Sequence, residues 1–124
     1  MDFRKFITSS GKEVLAGKSA ESNEKLIEQV SENEIVLHTA KPGSPFVNIK
    51  AGKEKITKKD LGEAAVFCAR YSQVWKKAKI KKDVLVHWFL GKDIFKTKGM
   101  KLGTFGVKKV RKIKVNKGEI LMFE

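Results

Sequence analysis

One thiol and two imidazoles, Cys68, His38 and His87, are the only groups in these 124 residues suited to nucleophilic or acid–base chemistry near neutral pH. A Cys–His pair would supply a thiolate and the base that generates it. Cys68, however, falls in a helical stripe with Leu61, Ala64, Ala65, Ser72 and Trp75, where a cysteine packs as a small hydrophobe. His87 sits among the apolar residues Val84 to Leu90 and reads as a satisfied core histidine. No HxxxH, CxxC, GxSxG or Walker-type phosphate loop occurs. The chain is therefore expected to catalyse nothing and to need neither metal nor cofactor. An enzymatic alternative would use His38, beside the Pro42-Gly43-Ser44 loop, in RNA processing or modification.

Binding chemistry is far better represented. Lys76, Lys77, Lys79, Lys81 and Lys82 cluster at the end of a predicted second helix, and Lys108, Lys109, Arg111, Lys112 and Lys114 follow near the C-terminus. The net charge of +13 is segregated: residues 1–52 are neutral, and residues 53–124 carry all of it. Cations at a helix C-terminus gain a few tenths of a kcal/mol each from the helix dipole. That gain does not account for five in one place, or for a second run on strands. Charge this dense and one-sided fits a polyanion. Only three arginines occur, and of the predicted second helix only Arg70 and Gln73 are base-reading side chains. Lysine-dominated binding without a recognition helix favours backbone and shape recognition of structured RNA over duplex DNA. The competing binding reading is an adaptor whose basic face docks an acidic protein.

The elements that must position these groups read as follows. Phe3, Phe6, Ile7, Val14 and Leu15 flank a Ser-Ser-Gly turn and predict a hairpin. Ser19 caps a first helix with Leu26, Ile27 and Val30 on its apolar stripe. Residues 35–38 and 46–50 read as strands bracketing a loop with both prolines, Pro42 and Pro45. Thr57 caps the second helix, which is expected to run through Trp75. Val84 to Leu90, apolar on both parities, predicts a central strand covered on both faces. Residues 103–107, 111–115 and 120–123 are expected to be short strands. The sum is an α+β fold, with a mostly antiparallel sheet and two helices packed on it, in one compact domain over 1–124. One cysteine excludes an internal disulfide, and no signal peptide or membrane span is visible, so a cytoplasmic protein is expected.

The turn residues between these elements form an ordered series. It runs Phe6-Ile7-Thr8-Ser9 with Gly11, Gly17-Lys18, Asn23-Glu24 and Ile35-Val36-Leu37-His38-Thr39. Gly43-Ser44-Pro45-Phe46-Val47, Glu63-Ala64-Ala65 with Ser72 and Trp75, and Gly103-Thr104-Phe105 complete it. From Phe6 to about Val115 the series resembles the RNA-binding domain of the NFACT family, NFACT-R, and its Gly-Ser-Pro-Phe form resembles archaeal members. The resemblance implies binding of tRNA or rRNA, tied to the large ribosomal subunit, in translation or ribosome-associated quality control. It assigns Lys18, Asn23, His38, Lys41 and Ser44 to RNA contact or to shaping RNA-facing loops. Lys76, Lys77, Lys79, Lys108, Lys109, Arg111 and Lys112 would add attraction for phosphate. Lys18 stands where arginine is usual, and Val36 where many members carry an aromatic residue, removing a stacking surface. The chain is expected to be a standalone module without the long members' other domains, so binding transfers and chain extension does not. A separate NFACT-type protein is a possible partner. Folding is expected to bring Lys18, His38 and Ser44 to the rim of the positive field.

Overall fold

The computed structural model describes residues 2–123. Eight strands are β1 (Arg4–Ile7), β2 (Glu13–Ala16), β3 (Glu34–Thr39), β4 (Val47–Gly52), β5 (Val84–Leu90), β6 (Ile94–Phe95), β7 (Gly106–Val107) and β8 (Arg111–Val115). Four helices are α1 (Ala20–Glu28), α2 (Lys58–Arg70), α3 (Gln73–Lys76) and α4 (Lys117–Met122). Six strands form an antiparallel sheet in the order β1-β2-β4-β3-β5-β8, and β6 and β7 form a separate ribbon. The α+β reading is therefore correct. Among the described residues, no helix is long and apolar enough to cross a membrane.

Alternation along the strands divides the core in two. Val14, Ile35, Leu37, Val47, Ile49 and Val86 point to the face covered by α2, α3 and α4. Ala64, Ala65 and Cys68 are fully buried there, and their small size lets α2 lie close to the sheet. Leu15, Val36 and Phe89 point the other way, beneath Leu26 of α1 and Phe105. Val36, expected to lack the stacking surface of an aromatic residue, is completely buried in that second cluster, where it packs.

Four expectations need correction. The second helix stops at Arg70. The Ser72 hydroxyl donates to the Ala69 carbonyl at 2.7 Å, and the Gln73 N–H donates to the Gly43 carbonyl at 2.7 Å instead of continuing the helix. Ser72 and Trp75 thus belong to α3, which Ser72 caps, and the first lysine run lies on α3 and the segment after it. Residues 120–123 are not a strand. Asn116 caps α4 by accepting from the Gly118 N–H at 2.7 Å, and Ile120 of the helix and Phe123 just after it both pack against the core. Strand β5 is an inner strand but is covered fully on one side only, since Leu85 is 40% exposed. His87, on the same face as Leu85, is half-exposed and not a core histidine.

The hairpin is bolted to α2 by carboxylates. Ser10 Oγ donates to Asp60 Oδ1 at 2.6 Å, Ser9 N–H donates to Glu63 Oε1 at 2.8 Å, and the Ser9 hydroxyl donates to Glu63 Oε2. Asp60 also accepts from Thr57 N–H in a capping box at 3.1 Å. Burial alone would raise the Asp60 pKa, but hydrogen bonds from Ser10, Thr57 and Thr8 outweigh it and hold the carboxyl well below the usual range. A depressed carboxylate pKa contributes stability that is present above the unfolded value near 3.8 and is lost as pH falls below it. Asp60→Asn is expected to destabilise the domain by about 2 kcal/mol at pH 7 and to flatten the loss of stability in acid. Urea unfolding at neutral pH and at about pH 3 checks both.

Candidate nucleic-acid interface

The loop between β3 and β4 is the hinge of the site, and its geometry begins with a missing side chain. A Cβ on Gly17 would stand 2.0 Å from Asn23 Oδ1. Without one, the Asn23 carboxamide reaches the loop and accepts from the Phe46 N–H at 3.1 Å, while Gly17 N–H donates to the Phe46 carbonyl at 3.1 Å. Ser44 is buried, and its hydroxyl accepts from Thr39 N–H at 3.0 Å and donates to the Pro45 carbonyl at 3.0 Å. The Thr39 hydroxyl closes the loop by donating to the Lys41 carbonyl at 2.6 Å. Gly43 turns with φ +88°, in the left-handed region where glycine is favoured, and α3 docks on its carbonyl.

A second loop, between β6 and β7, is fixed on α1 by Glu24. Its Oε1 accepts from Gly103 N–H at 2.7 Å and from Lys96 Nζ at 3.1 Å. Lys96 also donates to the carbonyls of Lys101 and Thr104. Gly103 has φ +76°, and a Cβ there would meet the Ala20 carbonyl oxygen at 2.7 Å.

Between these two loops lies a groove of about 540 Å³, bordered by His38, Ser44, Phe46, His87, Phe105 and Val110 among others. Among the described residues, no lysine, arginine, aspartate or glutamate side chain lines it. Three grooves with mostly cationic charged residues meet it at shared lining residues. The Tyr71 groove carries Arg4, Lys18 and Lys76 and shares Ala20, Asn23, Gly43 and Ser44 with it. The Leu85 groove carries Lys41, Lys79 and Lys82 against Asp83 and shares Ala40. The Trp88 groove carries Lys53, Lys92, Lys109 and Arg111 against Asp93 and shares Phe89.

The sequence-derived residues thus fall into place unevenly. Lys18, Asn23, Ser44 and Lys76 line one groove, and His38 lies across the Asn23–Ser44 ridge from Lys18 and Lys76. Lys41 and Lys79 line the Leu85 groove, and Lys109 and Arg111 the Trp88 groove. Lys77, Lys108 and Lys112 are exposed and line none of these grooves, although Lys112 is in register with His87, which is in register with His38. Among the described residues Lys18 alone of the nine predicted cations is ion-paired, with exposed Asp2 at 3.0 Å. Sequence reasoning passed over Arg4, 3.9 Å from the Tyr71 ring centroid, because it lies in the neutral part of the chain. It also passed over Trp88, stacked 5.2 Å from Arg111, because the run Val84 to Leu90 reads as a strand covered on both faces.

The titratable groups act as neutral lining. Burial lowers the His38 pKa, and His87 lowers it further against an opposing bond from Nδ1–H to the Thr39 carbonyl at 2.8 Å. Burial and then Lys112 lower that of His87. Burial pushes the Cys68 thiol up to about 12, so it packs and does not react. For each histidine the folded pKa lies below the unfolded 6.5, so stability is lost as pH falls through that value. NMR titration of the imidazole carbons should give two midpoints below 6.5. Gly17→Ala should displace the Asn23 carboxamide and cost about 1–3 kcal/mol. Its signature is a large rise in hydrogen exchange at the Phe46 amide, measured by NMR.

Comparison with known proteins places this geometry. The profile of the family described as NFACT protein RNA binding domain matches residues 2–109. The archaeal Rqc2 homolog aRqcH of Methanocaldococcus jannaschii is 34% identical over 73 residues, which are 58% of this chain and 11% of that protein. The solved C-terminal part of the fibronectin/fibrinogen-binding protein from Streptococcus suis has the same fold, with a TM-score of 0.83 at 19% identity. That match covers 98% of this chain and 48% of the other, so this chain spans a small part of the curated relative and about half of the solved one.

Proposed function

The chain belongs to the NFACT protein RNA binding domain family, and on that premise we propose that it binds tRNA or rRNA through the grooved face built around His38, Asn23 and Ser44. The observation that carries the reading is the ring of cationic grooves around a neutral one. A nucleic acid has the same division, with phosphates outside and uncharged flat rings inside. Asn23 and Ser44 shape this face, since their side chains are committed to Phe46 and Thr39. Lys18, Lys41, Lys76, Lys79, Lys109 and Arg111 contact phosphate, and Lys77, Lys108 and Lys112 extend the field beyond the grooves.

The role is binding in translation or ribosome-associated quality control in the cytoplasm, at the large subunit, with no catalysis by this domain. The likeness to the archaeal Rqc2 homolog supports that setting. A protein carrying the other NFACT domains is the natural partner.

Filter binding of total tRNA against salt tests the reading. Log K should fall linearly with log salt, by about 0.7–0.9 for each phosphate engaged. Substituting Lys108, Lys109, Arg111 and Lys112 by Gln should weaken binding and make that slope shallower. Stability should change by less than about 0.5 kcal/mol per surface position. Affinity for tRNA no higher than for a DNA duplex of equal length overturns the RNA assignment. An unaltered slope in the variant moves the phosphate contacts elsewhere.

A further inference from the structure

We propose that the charge-free central groove receives one unstacked nucleobase of the bound RNA. The proposal deepens the RNA-binding reading and rests on it. Four observations converge on a flat, uncharged ring as the occupant.

The first is charge complementarity. A strand whose phosphates lie in the Tyr71, Leu85 and Trp88 grooves passes over the depression that adjoins all three and that no charged side chain of the described residues lines. A peptide with acidic side chains would have no reason to leave an uncharged group at that point, whereas every nucleotide carries one.

The second is a wall made of rings. His38 and Phe46 lie 4.5 Å apart between centroids at 40°, and Phe105 meets Phe46 edge-on at 5.5 Å and 87°. Phe46 is buried, so a base would stack on the half-buried His38 and Phe105 rings that it backs, extending an aromatic cluster already assembled. The volume of about 540 Å³ falls within the range of small-molecule sites.

The third is a placed hydrogen-bond acceptor. The Thr39 carbonyl accepts only, so His38 Nδ1 carries the proton and Nε2 of the neutral ring presents a lone pair. Nε2 has no partner among the described residues, and no buried side-chain nitrogen or oxygen there lacks one. Nε2 therefore reaches solvent on the ring that lines the groove. It suits an exocyclic amine such as adenine N6 or cytosine N4.

The fourth is an apolar lip on a rigid frame. Leu102 is 57% exposed and Val110 40% exposed at the groove. Both loops that carry the walls are pinned by Asn23 and Glu24, so little ordering is left for the ligand to drive.

Isotope-labelled protein titrated with oligoadenylate of about ten nucleotides, within the footprint of small single-strand binders, tests this. The control is an abasic ribose-phosphate oligomer of equal length and charge. Oligoadenylate is expected to bind about 10-fold tighter, in the range for one stacked base. It should shift the His38 imidazole, Phe105 ring and Gly103 amide signals, while the abasic oligomer shifts only signals of the cationic grooves. Equal affinities with those three signals unmoved overturn the base site and leave RNA binding standing. If neither oligomer binds while tRNA binds with a salt-dependent slope, the base site is overturned and RNA binding stands; if tRNA fails to bind as well, both readings fail. Groove signals that move when the protein alone is concentrated assign the groove to a second copy of the chain and overturn the proposal.

Discussion

Everything on the grooved face depends on how the backbone at Phe46 is held. Its carbonyl accepts from Gly17 and its N–H donates to Asn23, so both backbone groups of one residue are gripped by the start of α1 and the segment before it. From that fixed point the chain runs back through Ser44 and Gly43, and Gly43 in turn takes the N–H that ends α2 and begins α3. A buried backbone pair left unmatched would cost far more than any surface contact returns. The satisfaction of these few groups therefore decides where α1, α3 and two strands stand relative to one another.

Acidic residues do a different job from the one their number implies. Glu24, Glu34, Asp60 and Glu63 are engaged inward, with Lys96 and Gly103, Lys50 and Asn48, Lys12 and Ser10, and Ser9. Holding loops and caps together removes them from the grooves. The cations left on the grooved face thus stand with few carboxylates beside them. Net charge records the imbalance, and by spending these carboxylates as struts the fold leaves the groove cations with few of them alongside.

Much of this was readable in the residues. Capping serines and threonines, the Ser-Ser-Gly turn and the helical stripe through Ala64 and Cys68 each reflect local physics, and each gave its element. The misread places share a cause. The break after Arg70 is made by Gly43, far back along the chain in a different loop, whose carbonyl takes the Gln73 N–H, and period alone carries the stripe across it. Residues 120–123 are too few for a helical period to separate from a strand, and the cap that decides the matter lies at Asn116. The residues of the candidate site stand out as motif residues in sequence, but which of them the backbone claims does not. Asn23 and Ser44 look like polar contact residues in sequence, and only the three-dimensional pairing shows that the backbone claims them. Arg4 carried no signal at all, being an ordinary cation on a hairpin strand.

The sheet ends in strands β1 and β8, and each leaves one row of backbone groups unpaired. β1 begins Arg-Lys and β8 reads Arg-Lys-Ile-Lys-Val. An open, flat edge is a template on which identical molecules polymerise, and lysine is a common guard against it. Cations on β8 therefore keep copies of the sheet from zipping edge to edge whether or not a polyanion is bound. They act as gatekeepers of solubility, and a crowded cell would select for them on that ground alone. Evolution could move the ligand site elsewhere on this scaffold and still be obliged to keep the edge charged.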